Sequence, residues 1–259
     1  MRIARFTIGE DPRFGIVERE PDGRERLAVI AGDPLYTPIQ FTGERVALAD
    51  ARLLAPVIPR SKVVGIGRNY AAHAEELGNT VPTEPLAFLK PNTSVVGPGD
   101  PIVAPALSQD EQFEGELAIV IGRMCREVPK ERVADVIFGY TCANDVTARD
   151  LQSRDGQWWR AKGFDTFCPL GPWIVTDLDP SDLRVVTRLD GEVKQDSRTS
   201  LMVYDVPTIV AHVSAAMTLL PGDVILTGTP AGVGPMTAGQ RVEVEIEGIG
   251  VLGNPVVRP

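Results

Sequence analysis

Residues 113–122 read Phe-Glu-Gly-Glu-Leu-Ala-Ile-Val-Ile-Gly, an apolar, β-branched run that carries two carboxylates at its start. As a strand it places Glu114 and Glu116 on one face, with Cα atoms about 6.5 Å apart, close enough for both carboxylates to converge on one ion. Ala118 and Val120 continue that face, so it leads inward rather than into water. Two buried carboxylates without a partner are costly or take up a proton. A divalent cation removes the difficulty. Asp145 ends a second apolar run, Phe138-Gly-Tyr-Thr-Cys-Ala-Asn-Asp, where a strand end can display a ligand. Together Glu114, Glu116 and Asp145 form an all-oxygen set that suits Mg2+, Mn2+ or Ca2+ rather than zinc. Glu-x-Glu alone is also a common exposed-face pattern. Residues 242–247 illustrate it, with Glu243, Glu245 and Glu247 opposite Val242, Val244 and Ile246, and no function attaches to them.

The chain has two histidines. His73 and Glu76 are three residues apart, so on a helical turn they share a face and can hydrogen-bond. A carboxylate orients the imidazole and strengthens it as a general base for water. His212 lies in an apolar helical segment and reads as structural. Lys162 stands in Arg160-Ala-Lys-Gly-Phe-Asp-Thr-Phe-Cys-Pro-Leu-Gly-Pro-Trp, an aromatic and glycine-rich stretch of poor solvation. A cation there offsets surplus negative charge around a metal. The stretch Leu226-Thr-Gly-Thr-Pro-Ala-Gly-Val-Gly runs from a strand into a glycine-rich loop, whose amides, Gly228 among them, and Thr229 hydroxyl can hold a carboxylate. It is not a Walker loop, and Gly65-Ile-Gly67 lacks the third glycine of a dinucleotide fold.

The elements that position these residues are mostly strands. Prolines (22) and glycines (25) cut the sequence into short runs. Short strands are expected at 3–8, 15–18 and 27–30, then a linker at 56–60. This divides the chain into a small N-terminal β domain, 1–58, and a main domain, 59–259. In the main domain, strands are expected at 62–67, 86–90, 113–121, 140–144, 173–176, 185–189, 223–227 and 242–247. Asp190-Gly191 signals a hairpin. Residues 69–77 read as a short helix or ordered loop. Amphipathic patterning predicts a helix at 130–138, and proline punctuation predicts another at 207–220. Strands that do not alternate with helices argue against a doubly wound sheet. A β-rich α+β fold results.

The formal net charge of −9 repels a phosphate backbone, and no Lys/Arg stripe is present, so nucleic acid is excluded as a partner. No apolar run approaches the roughly 18 residues of a membrane span, and the N-terminus lacks a secretory core. Cys125, Cys142 and Cys168 form no CxxC pair and read as reduced thiols of a cytoplasmic protein.

Five segments in order, from about residue 62 to 257, resemble the fumarylacetoacetate hydrolase family. They are Gly65-Ile-Gly-Arg-Asn-Tyr-Ala-Ala-His73, Phe113-Glu-Gly-Glu-Leu, Gly139-Tyr-Thr-Cys-Ala-Asn-Asp145-Val-Thr-Ala-Arg149-Asp, Lys162-Gly-Phe-Asp-Thr-Phe-Cys-Pro-Leu-Gly-Pro and Pro221-Gly-Asp-Val-Ile-Leu-Thr-Gly-Thr-Pro-Ala-Gly-Val-Gly. The resemblance implies a mixed β-sandwich roll, a homodimer, and one divalent metal, commonly Mg2+. It maps metal ligands onto Glu114, Glu116 and Asp145, and a catalytic dyad onto His73 and Glu76, carried on a lid. Lys162 matches the active-site lysine. Arg149 and Gln152 match polar positions near the metal, and Thr229 with its neighbour Gly228 matches the substrate-binding loop. The implied substrates are 2-oxo acids. Hydrolysis of an acylpyruvate-type C–C bond comes first because the dyad is present. Isomerisation of a 2-hydroxyhepta-2,4-diene-1,7-dioate and decarboxylation of oxaloacetate use the same site. A noncatalytic metal-stabilised binding module needs the carboxylates but not His73, Glu76 or Lys162.

Overall fold

A computed structural model describes residues 1–9 and 11–259. Five strands open the chain: β1 (Arg2–Thr7), β2 (Arg13–Arg19), β3 (Glu25–Ile30), β4 (Phe41–Ala47) and β5 (Arg52–Leu54). Next come β6 (Val63–Gly67), helix α1 (Ala71–Glu76), β7 (Leu86–Lys90), β8 (Val95–Val96), β9 (Ile102–Val103), β10 (Glu111–Phe113), β11 (Gly115–Ile121) and β12 (Ile137–Asn144). A compact stretch adds β13 (Thr147–Ala148), α2 (Arg149–Arg154), α3 (Trp159–Lys162) and β14 (Cys168–Val175). The chain closes with β15 (Arg184–Leu189), β16 (Glu192–Arg198), α4 (Val206–Ala216), β17 (Val224–Leu226), β18 (Gly234–Pro235), β19 (Arg241–Ile246) and β20 (Gly250–Val257).

The main sheet runs β4-β3-β2-β1-β14-β12-β11-β17-β6-β7, and a five-stranded sheet runs β16-β15-β19-β20-β9. β1 pairs with β14, so the N-terminal strands continue the sheet that holds β11 and β12. Between the sheets lies an apolar core that includes Leu117, Ile119 and Ile121 of β11, Val185 of β15, Val244 and Ile246 of β19, and Ile209 and Val213 of α4. Every residue of β11 is buried, which explains its unbroken apolar run. This is the expected β-rich α+β roll. Among the described residues no helix is long and apolar enough to cross a membrane.

Pairing brings the site together. β11 and β12 are antiparallel with Gly115 opposite Asn144, so the start of one lies beside the end of the other, and Glu114 and Glu116 meet Asp145. On its other flank β11 pairs antiparallel with β17, which delivers the glycine loop after Leu226 to the same end. β6 runs parallel to β17 and sends α1 out there as well.

Several expectations need correction. The strand at 113–121 is broken at Glu114, between β10 and β11, because the Glu114 amide turns to the Asn144 side chain. Residues 130–138 form only a 3-10 turn, Lys130–Asp135, before Ile137 and Phe138 enter β12. The helix at 207–220 is α4, capped by Asp205 accepting from the Thr208 amide. It ends at Ala216 because Leu219 exchanges backbone hydrogen bonds with Cys125. The sequence patterns predict no counterpart of β4, β5, β8, β9, β13, β18, β20, α2 or α3. His212 is half-buried on α4, and its ring has no hydrogen bond among the described residues.

Candidate active site

Glu114, Glu116 and Asp145 are buried, at 4%, 1% and 1% exposure. One carboxylate oxygen from each lies within 4.8 Å of the others. The backbone enforces this: the Glu114 amide donates to Asn144 Oδ1 at 2.9 Å, and the Asp145 amide donates to the Glu114 carbonyl at 2.8 Å. The Gly228 amide donates to Glu116 Oε2 at 2.6 Å, so the glycine loop holds one of the three carboxylates.

Three buried or nearly buried cations surround the cluster. Lys162 Nζ lies 2.6 Å from Glu114 Oε2 and 2.7 Å from Asp145 Oδ2. Arg149 Nη2 lies 2.6 Å from Glu114 Oε1 and its Nη1 donates to Gln152 Oε1 at 2.6 Å. Lys90 Nζ, wholly buried at the end of β7, donates to Asp145 Oδ1. Burial works to raise the Glu114 carboxyl, but Lys162 and Arg149 outweigh it and hold it well below the usual range. Burial also works to lower the Lys162 ammonium, yet Asp145 and Glu114 outweigh it and raise it. Glu116 differs: burial, then Asp145 and Glu114, push its carboxyl well above the ordinary value. A group in that position is relieved by a cation. Buried, crowded, all-oxygen donors therefore fit a hard divalent ion.

His73 is buried on α1, and its Nδ1 lies 3.1 Å from Glu76 Oε2, the three-residue spacing realised on a helix. The Gly232 amide donates to both Glu76 oxygens, at 3.0 and 3.2 Å, fastening α1 to the glycine loop. Asn69 anchors the segment from below, its Nδ2 donating to the Tyr204 and Thr227 carbonyls. A cavity of about 390 Å3 opens between these parts, lined by Arg68, His73, Glu114, Arg149, Lys162 and Thr229, among others. Arg68 has a φ of 56°, lies over the Trp158 ring and forms no ion pair among the described residues.

The structure thus brings Glu114, Glu116, Asp145, His73, Glu76, Lys162, Arg149 and Gln152 around one centre. The Thr229 hydroxyl donates to the Gly115 carbonyl and accepts from Gln195, which ties it to the strand as well as to the cavity wall. Sequence reasoning missed Lys90, Asn144 and Gln195. The signal for Lys90 was available: a lone lysine closing the apolar run Leu86-Ala-Phe-Leu, the same context that marked Lys162.

Paired strands of a β-roll thus gather acids, buried cations and a His–Glu pair beside one cavity. The chain belongs to the fumarylacetoacetate hydrolase family of enzymes: the family model "Fumarylacetoacetate (FAA) hydrolase C-terminal" matches residues 62–257. A second model, "Rv2993c-like, N-terminal", matches residues 1–56. Protein Rv2993c of Mycobacterium tuberculosis is 55% identical over 263 residues, covering 100% of this chain and 98% of that protein. The rat mitochondrial oxaloacetate tautomerase Fahd2a is 44% identical over 287 residues, covering 99% and 92%. Among solved structures, 5-carboxymethyl-2-hydroxymuconate delta-isomerase from Mycobacterium smegmatis superposes with a TM-score of 0.92 at 53% identity over both whole chains. Maleylpyruvate hydrolase from Sphingobium sp. SYK-6, solved with manganese(II) and pyruvate, superposes at 0.81 with 35% identity, covering 100% and 99%.

Proposed function

We propose that the protein is a divalent-metal-dependent hydrolase that cleaves the C–C bond of an acylpyruvate-type 2,4-dioxo acid. The observation that carries this reading is the single cavity onto which His73, Glu114 and Lys162 all open. Glu114, Glu116 and Asp145 would hold the ion, for which we assign Mg2+, with Mn2+ or Ca2+ as the alternatives that suit the same oxygens. Such an ion supplies Lewis-acid charge for the substrate's carboxylate and 2-oxo group.

The chain's own residues do the rest. Glu76 fixes His73 through Nδ1 and leaves Nε2 to take a proton from water. The hydroxide equivalent adds to the distal carbonyl, the bond between C3 and C4 breaks, and its electron pair passes into a pyruvate enolate. Lys162 stabilises the developing negative charge. The proton taken by His73 returns to C3, giving pyruvate and the second carboxylic acid. Arg149 and Gln152 line the cavity and orient the substrate carboxylate, with Thr229 on the same lining and Gly228 beside it in the glycine loop that holds Glu116. Arg68 meets a second acidic group at the acyl end.

A second reading, tautomerisation or isomerisation of an enolisable 2-oxo dicarboxylate, is favoured by the names of the rat and M. smegmatis relatives. It uses the same base and enolate and omits the water. We assign a homodimer, since β7 ends the main sheet with Leu86, Leu89 and neighbouring Trp159 exposed. We also assign a cytoplasmic location, which the three free cysteines fit. The test is loss of the ultraviolet absorption of acetylpyruvate upon adding enzyme with Mg2+. EDTA stops the loss if the reading holds, and no loss with Mg2+ or Mn2+ rejects hydrolysis.

A further inference from the structure

Gln195 lies in β16 of the five-stranded sheet, fully buried, outside the ring of charged groups. Its Oε1 accepts from the Gly115 amide at 3.0 Å, between Glu114 and Glu116. Its Nε2 donates to Thr229 Oγ1 at 2.8 Å and to the Pro230 carbonyl at 2.7 Å. One amide group thereby fixes the acidic strand and the glycine loop at three points. A buried amide that loses such partners is costly, so the loop has one satisfied position. Packing reinforces it. Gly232 has a φ of +99°, and a Cβ there would lie 2.1 Å from the carbonyl oxygen of Lys194, the residue before Gln195. Loop 228–232 therefore rests directly on β16. Its two ends carry the amides that matter: Gly228 on Glu116, Gly232 on Glu76.

We infer that Gln195 is a positioning residue that registers the His73–Glu76 pair against the Glu114–Glu116–Asp145 cluster, with loop 228–232 as the rigid link. The inference rests on the catalytic reading of those two groups. It assigns the second sheet a part in the chemistry although it contributes no side chain to the cavity wall through Gln195 itself.

The test compares the full-length protein with Gln195→Met, which keeps length and removes both hydrogen-bonding functions. Mn2+ binding is read by paramagnetic resonance, turnover by 2-oxo acid assay, and the Nδ1 proton that His73 shares with Glu76 by imidazole NMR. The expected result is a Mn2+ dissociation constant raised about 10-fold, turnover lowered roughly 10- to 100-fold, and faster exchange of the His73 proton. A variant that merely melts earlier, with wild-type Mn2+ affinity and proton protection, overturns the inference. Gly232→Ala provides a second arm should Gln195→Met not fold. Its Cβ collides with the Lys194 carbonyl and lifts the rigid loop from β16, so proton protection is lost and Mn2+ affinity falls with it, and retention of either contradicts the link. If the wild type turns over no 2-oxo acid, the functional reading falls, and the Mn2+ and NMR readouts still decide the role of Gln195.

Discussion

The Lys162 ammonium lies 2.6 Å from the Glu114 carboxylate, with both side chains almost wholly buried. Each charge is sustained there by the other, because neither has enough water to carry it alone. Asp145 shares the same ammonium at 2.7 Å. Lys162→Met therefore leaves two acids short of a cation. With EDTA present, urea denaturation of this variant shows a loss of about 3–5 kcal/mol. With saturating Mg2+, turnover falls about 10²–10³-fold through loss of enolate stabilisation. Wild-type turnover in this variant removes Lys162 from the chemistry.

Arg68 is the cavity's uncommitted cation, half-buried over Trp158 and without an ion-pair partner among the described residues. A charge-assisted hydrogen bond to a second substrate carboxylate is worth about 1.5–3 kcal/mol. Arg68→Met accordingly raises KM for a 2-oxo dicarboxylate about 10- to 100-fold and leaves KM for acetylpyruvate near its wild-type value. Steady-state kinetics on the two substrates check this. Equal effects on both would place Arg68 elsewhere in the mechanism.

The Glu116 carboxyl is raised by burial and by its acidic neighbours. A raised group stabilises the fold while protonated, fully below the unfolded value of about 4.3, and that contribution is lost as pH rises through the folded value. A divalent cation then takes over from the proton. Glu114 is shifted the opposite way and stays charged throughout this range. The gain in melting temperature from Mg2+ over EDTA is thus larger near pH 8 than near pH 5.5. Calorimetry showing equal gains would argue against these acids as the metal site.

Cys142 and Cys168 are fully buried, and burial pushes both thiols up, Cys168 to about 12. Cys125 is half-buried. A disulfide-exchange reagent at mild alkaline pH labels no thiol of the native protein but Cys125, and all three after unfolding. Rapid native labelling of Cys142 or Cys168 would mean that β12 or β14 opens far more readily than its burial implies.

Much of the site was legible because its residues sit in the wrong company for their charge. Lys162 among aromatics and Glu116 in an apolar run cannot be solvated where the pattern puts them. The Asp190-Gly191 turn was legible for a different reason: its φ values of 51° and 82° are the ones that dipeptide tolerates. The break at Glu114 was not, since the apolar pattern runs straight through it and only the Asn144 side chain, 30 residues away, interrupts the strand. Helices α2 and α3 span six and four residues, too short for a periodic signal, and tertiary contacts hold them. Gln195 reads locally as an ordinary surface residue of a short strand, and its burial exists only once β16 is folded against the acidic strand and the glycine loop.

The most direct measurement is proton NMR of acetylpyruvate incubated with the Mg2+-loaded protein, beside His73→Ala and an EDTA control. The account predicts pyruvate and acetate appearing in equal amounts with the wild type, a rate lowered about 10²–10⁴-fold in His73→Ala, and no cleavage with EDTA. Acetylpyruvate that stays intact with the metal-loaded wild type, or is cleaved as fast by His73→Ala, would contradict it.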